Sequence, residues 1–156
     1  MTIHTYAVVT GASRGIGRAL ACELAVAGVK LITLSRHEET ALATLARHQG
    51  AHLEQIEVDL SSLEAAERAA GQVAALLAPG AKNYLLINNA GTVHPVAAAS
   101  SLTDGDAIAQ AFDLNVAAVI SMTAATLGAK ACAMATPSGR DEAAATGCPV
   151  PAVLVS

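Results

Sequence analysis

Two rhythms alternate along this chain: short unbroken apolar runs, and longer stretches with apolar residues three or four apart. "YAVVT", Tyr6 to Thr10, is a β-branched apolar run and predicts a strand. Ile16, Leu20 and Leu24 then recur on one helical face with Ala27 beside them, and Gly28 is placed to stop that helix as a left-handed cap. "KLITLS", Lys30 to Ser35, is the second strand. Glu38 and Glu39 open the next helix, facing solvent in its first turn; Arg47 and His48 end it and Gly50 closes it, a charge order that suits the helix dipole. "HLEQIEV", His52 to Val58, is a third strand with some alternation.

Ser61-x-x-Glu64 is a capping-box pattern that starts a third helix with the stripe Leu63, Ala66, Ala70, Val73 and Leu77, ended by Pro79-Gly80. "YLLIN", Tyr84 to Asn88, is the fourth strand. Thr103 is placed to cap a long helix to Leu127, carrying Ile108, Phe112, Val116, Val119 and Ile120 and stopped by Gly128. An irregular excursion rich in Ala, Gly and Pro, with room for some helix at its start, fills Ala129 to Pro149, and Val153 to Val155 is a fifth strand. Strand and helix alternate, and the strands are apolar throughout. That pattern predicts a parallel sheet covered on both faces, hence a three-layer, doubly wound, Rossmann-like α/β fold. No internal repeat or linker interrupts it, so residues 1–156 read as one domain.

Composition narrows the classes. The chain has 156 residues, of which 53% are apolar, but only two Tyr and one Phe, so Ala, Val, Leu and Ile must build the core. Formal charge is 9 − 13 = −4 with no basic run, which argues against a nucleic-acid partner. No apolar run approaches a membrane span, and no signal peptide is visible. Cys22, Cys132 and Cys148 form no C-x-x-C pair, and His4, His37, His48, His52 and His94 show no ligand spacing. A reduced, cytoplasmic setting without a metal site is the expectation.

The chemistry concentrates in "TGASRGIG", Thr10 to Gly17, between the first strand and its helix. Glycines there let the backbone turn and approach a ligand, and a helix N-terminus offers free N–H groups to a pyrophosphate. The spacing is G-x-x-x-G-x-G through Gly11, Gly15 and Gly17, with Ser13, Arg14 and Ile16 between them.

Together with "VDL" (Val58 to Leu60), "NNAG" (Asn88 to Gly91) and "LNV" (Leu114 to Val116), in that order, this loop resembles the short-chain dehydrogenase/reductase family. The resemblance implies that Asp59, beside Leu60, faces the adenine amino group. It implies that Asn88, Asn89, Ala90 and Gly91 line the cofactor, and that Asn115 is the Asn of the family's catalytic tetrad. From the residues alone, Asp59 also fits a helix cap, Asn88 and Asn89 fit turn residues tying strands together, and Asn115 fits a helix-interior polar residue.

The second strand ends in Ser35 and Arg36, with no carboxylate to accept from a ribose 2′-hydroxyl. Arg36, and Arg14 from the glycine loop, suit a 2′-phosphate, which favours NADPH over NADH. In the resembled family a Tyr-x-x-x-Lys supplies the proton and a Ser ends the fifth strand. Tyr6 is followed at that spacing by Thr10 and Tyr84 by Asn88, so both read as packing residues; Ser156 stands at or immediately before the serine position. The expectation is the cofactor-binding part of an NADPH-dependent oxidoreductase acting on a small carbonyl compound, ending as its fifth strand reaches the active site. "LLINNAGTVHPV", Leu85 to Val96, looks similar to sepiapterin and benzil reductases, which act on vicinal dicarbonyls; His94 and Pro95 fit the border of a substrate pocket and fit a surface turn at least as well. The family also implies a homo-oligomer through the Thr103–Leu127 helix. A non-catalytic dinucleotide-binding module, or an inactive truncated product, stays open beside this reading.

Overall fold

Three apolar strands and a more polar edge strand, of five to seven residues each, form the sheet of the computed structural model, which describes residues 2–78, 81–134 and 154–155. These are β1 (Thr5–Thr10), β2 (Val29–Ser35), β3 (His52–Glu57) and β4 (Asn83–Ile87), with the two-residue β5 (Leu154–Val155) beside β4. The order is β3-β2-β1-β4-β5 and every pairing is parallel. This is the doubly wound sheet predicted from the alternation, with strand ends shifted by a single residue.

The pleat divides the core in two. Ala7 and Val9 of β1 pack toward α1 (Gly15–Leu24) and α2 (Thr40–Gln49), with Ala21, Leu42 and Ala46. Tyr6 and Val8 pack on the other face toward α3 (Leu63–Leu76) and α5 (Ala118–Met134), with Val73 and Met122. Tyr6 and Tyr84 stack at 5.8 Å between centroids, and the Tyr84 hydroxyl donates to the Ala78 carbonyl at 2.6 Å. Both tyrosines therefore pack near the starts of β1 and β4, at the end of the sheet opposite the glycine loop.

Several sequence expectations are corrected. The most buried positions of α1 are Gly17 and Ala21; Leu20 and Leu24 of the predicted stripe are partly buried against the same core, while Ile16 turns outward, 73% exposed. Small residues let α1 lie close on the sheet, whereas a larger side chain would hold it off. α1 also ends at Leu24, so Gly28 (φ 82) is not its cap; it precedes β2, and its carbonyl accepts from the His4 and Thr5 N–H groups. Glu39 does not face solvent in the first turn of α2. It is the N-cap residue, and its carboxylate takes the Arg18 guanidinium at 2.7 Å while its N–H donates to Gln55.

Ser62, not Ser61, caps α3 by accepting from the Ala65 N–H, and Leu63 is exposed. The helix ends at Leu76, before Pro79-Gly80, which lies outside the described residues. Asp104, not Thr103, caps α4 (Gly105–Phe112), accepting from the Ala107 N–H at 3.0 Å. The single long helix expected there carries a π-turn, Asp113–Ala117, closed by the Ala118 N–H on the Asp113 carbonyl, and α5 runs on through Gly128 to Met134. The start of the predicted irregular stretch is thus helical; the rest of it, and Val153, lie outside the described residues.

The continuous helical stretch Gly105–Gly128, 24 residues, is by length and composition long and apolar enough to cross a membrane, contrary to the expectation that no run approaches a span. Here Ala118, Met122 and Thr126 pack it down, while Phe112, Val116 and Ile120 remain exposed.

Candidate functional site

Strand order reverses between β2 and β4 on the two sides of β1, so the loops leaving β1 and β4 diverge at their carboxyl ends and leave a crevice. A cleft of about 820 Å³ occupies it. Gly11, Ser13, Arg14, Gly15 and Ile16 of the glycine loop line one wall. Ser35 and Arg36 after β2, and Asp59 and Leu60 after β3, line a second; Asn89, Ala90 and Gly91 after β4 line a third. All of these were named as candidates from the sequence.

Gly17 lies behind the cleft rather than on it. A Cβ there would collide with the Gly11 carbonyl and the Asn89 side-chain amide, so this glycine lets α1 press against the loop that feeds it. Gly15 has φ +57 with open space where a Cβ would stand, so its demand is conformational. The N-cap residue of α1, Arg14, makes no side-chain cap, and the first turn carries no acid. The dipole's positive end therefore meets the cleft uncompensated.

The loops are tied to one another. Thr10 Oγ1 accepts from the Asn89 and Ala90 N–H groups, both at 3.0 Å, and Asn89 Nδ2 donates to the Thr10 and Gly11 carbonyls at 3.0 and 3.2 Å. Asn89 thus ties the ends of β1 and β4 together as well as lining the cleft. Asn88 is turned the other way: its amide lies 3.5 Å from Thr123 Oγ1, and its Oδ1 is buried with no partner among the described residues.

Asp59 is held by Ser61, whose hydroxyl donates to Oδ1 at 2.7 Å and whose backbone N–H donates to the same oxygen at 3.0 Å. These bonds, aided by the Arg36 charge, hold the carboxyl below its ordinary value. Ser35 is committed locally, donating to the His37 carbonyl at 2.7 Å, so it shapes the turn and Arg36 is the side chain left to act there. Asn115 sits in the π-turn outside the cleft lining. Its Nδ2 donates to the Thr92 carbonyl at 2.7 Å and its Oδ1 accepts from the Thr92 N–H at 2.9 Å. Ser156 lies outside the described residues.

His94 and Pro95 line the cleft, as does Thr92 between them and Gly91. Sequence reasoning missed Val58, Ser61, and the wall made by Ala107, Gln110, Ala111 and Leu114. The i, i+4, i+7 spacing of Ala107, Ala111 and Leu114 carried that signal, but it was submerged in the larger stripe through Phe112. Among the described residues no group of acidic, His and Cys side chains gathers at metal-binding distance.

Comparison with known proteins agrees with this geometry. The family model described as short chain dehydrogenase matches residues 5–139. An uncharacterized short-chain type dehydrogenase/reductase of Sinorhizobium fredii is 36% identical over 123 residues, covering 79% of this chain and 45% of its own. The sepiapterin reductase of Bos taurus is 33% identical over 135 residues, covering 81% of this chain and 51% of its own. The crystal structure of a short-chain dehydrogenase/reductase from Burkholderia vietnamiensis superposes with a TM-score of 0.73 at 32% identity, covering 83% of this chain and 59% of that one. The chain thus spans about half the length of the curated relatives it matches.

Proposed function

The chain belongs to the short-chain dehydrogenase family, and we propose that it is the cofactor-binding part of an NADPH-dependent reductase of carbonyl compounds. One observation carries the choice of cofactor: Arg14 and Arg36 line the same cleft as the uncapped start of α1, and the residue that ends β2 beside them is Ser35, not a carboxylate. An extended dinucleotide fits the cleft's three walls. Gly11, Ser13, Gly15 and Ile16 would hold the pyrophosphate over the helix N-terminus, with exposed Ile16 covered by it. Arg14 and Arg36 would pair with the 2′-phosphate, which a carboxylate would repel. Asp59 and Leu60 would flank the adenine, and Asn89 to Gly91 the central part of the cofactor.

When bound, the nicotinamide supplies a hydride. This chain's residues bind and orient; the proton is a separate requirement. Tyr6 and Tyr84 are buried in the packing of β1 and β4, so neither reaches the cleft as a general acid. Asn115, fastened to the Thr92 backbone, is suited to fix the loop that follows Gly91, and with Ser156 it is assigned to the catalytic machinery of the whole protein. The substrate class we infer is a small carbonyl, with vicinal dicarbonyls favoured by the likeness to a sepiapterin reductase. His94 and Pro95 would border it. The packed tyrosines equally favour a second reading, in which the chain binds a dinucleotide without catalysis.

Calorimetric titration with NADPH tests the proposal. Saturable one-site binding is expected; no binding at millimolar NADPH would overturn both readings.

A further inference from the structure

The carboxyl of Asp59 is gripped on one side only. Both bonds it receives end on Oδ1, from the hydroxyl and from the backbone N–H of Ser61. Ser61 has no other evident duty, since the cap of α3 is supplied by Ser62. A serine hydroxyl has one proton to give, and here it goes to Asp59. Oδ2 receives no hydrogen bond from the described residues, and Asp59 and Ser61 both line the cleft. A carboxylate fixed through one oxygen presents the other in a set direction. An unfixed one rotates about χ2, a broad two-fold torsion.

We propose that Ser61 is a positioning residue for base recognition: by clamping Oδ1 of Asp59 it aims Oδ2 at the 6-amino group of the cofactor's purine, so that the chain distinguishes adenine from hypoxanthine. This rests on the reading that Asp59 meets the adenine end of a bound dinucleotide. An amino group donates to Oδ2, whereas the 6-keto group of hypoxanthine sets an acceptor against an acceptor. The ionised state that this requires is favoured by the same two bonds, with Arg36 contributing less.

The probes are NADPH and its hypoxanthine analogue, deamino-NADPH, titrated into the chain by the fluorescence of the dihydronicotinamide, so that no turnover is read. The unsubstituted chain is expected to prefer NADPH about tenfold, the scale of a hydrogen bond to a charged group. Ser61→Ala should reduce that preference several-fold while leaving deamino-NADPH affinity nearly unchanged, and Ser61→Thr, which keeps the hydroxyl, should restore it. Asp59→Asn, whose amide can donate to a keto oxygen, should abolish or invert the preference. If Ser61→Ala keeps the full preference while Asp59→Asn loses it, Ser61 is only a turn residue and the inference is overturned with the Asp59 reading intact. Equal weakening of both cofactors by Ser61→Ala would also overturn it. No preference in the unsubstituted chain would overturn both the inference and the adenine reading.

Discussion

The side-chain amide of Asn89 donates to two successive carbonyls of the glycine loop, Thr10 at 3.0 Å and Gly11 at 3.2 Å. A residue at the end of β4 thus sets the shape of the loop leaving β1, and the two walls of the cleft are mechanically one. Asn89→Ala removes both bonds and leaves the carbonyls under-satisfied. The expected loss is about 1–3 kcal/mol, seen as a fall of a few degrees in Tm by circular dichroism. NADPH affinity should fall with it. An unchanged melting temperature would mean that the joint is held by the Thr10 hydroxyl alone.

Gly17 makes the same joint intolerant from the other side. A Cβ there meets backbone, the Gly11 carbonyl, as well as the Asn89 amide. Backbone cannot swing away as a flexible side chain can. Gly17→Val should abolish NADPH binding while the far-ultraviolet circular dichroism stays close to that of the unsubstituted chain. Normal binding by this variant would show that the loop's shape does not govern the cleft.

Much of this site was legible because its residues lie next to each other in sequence at strand ends. The glycine loop and Asn89–Gly91 follow strong apolar runs and the Asp59 turn follows the alternating β3, and parallel topology brings all three ends to one edge. What was not legible depends on size and on helix phase. Apolar periodicity pointed to Ile16, Leu20 and Leu24; the last two do pack at the edge of the core, but the helix seats most deeply on Gly17 and Ala21, because close approach selects small side chains. Ile16, thrown outward, becomes part of the cleft. The π-turn at Asp113–Ala117 was invisible for a similar reason: one extra residue in a turn shifts the phase of everything after it without leaving a gap in the pattern. Ser61 and Ser62 are chemically identical, and only the geometry assigns the first to Asp59 and the second to the helix.

Asp59 carries a pH signature. Ser61's hydroxyl bond and then its backbone bond favour the ionised carboxyl most; desolvation opposes them, and the Arg36 charge adds the least. The folded value therefore lies below the ordinary 3.8. Stabilisation from a group of this sign is complete above the unfolded value and is lost as pH falls through the folded one. A carbon-13 titration of the Asp59 carboxyl should show a midpoint below 3.8, moving upward in Ser61→Ala. Identical midpoints in both proteins would mean that the hydroxyl bond is not formed in solution.

Phe112 and Ile120, 65% and 63% exposed, stand with Val116 along one side of the helical stretch that follows Asp104. Apolar side chains grouped in this way recruit partners. Self-association is expected, with sedimentation equilibrium showing a mass that rises with concentration. Ile120→Lys should shift the population toward monomer with NADPH binding kept. A monomer at all concentrations would leave that face without the role assigned to it.

The central claim is that this cleft selects a 2′-phosphorylated dinucleotide through Arg14 and Arg36. Parallel fluorescence titrations of NADPH and NADH into the unsubstituted chain and into Arg36→Asp test it most directly. The account predicts tighter binding of NADPH by the unsubstituted chain and a reversed preference in the variant, where a carboxylate now accepts from the ribose hydroxyl. Equal affinities for the two cofactors in the unsubstituted chain would contradict it.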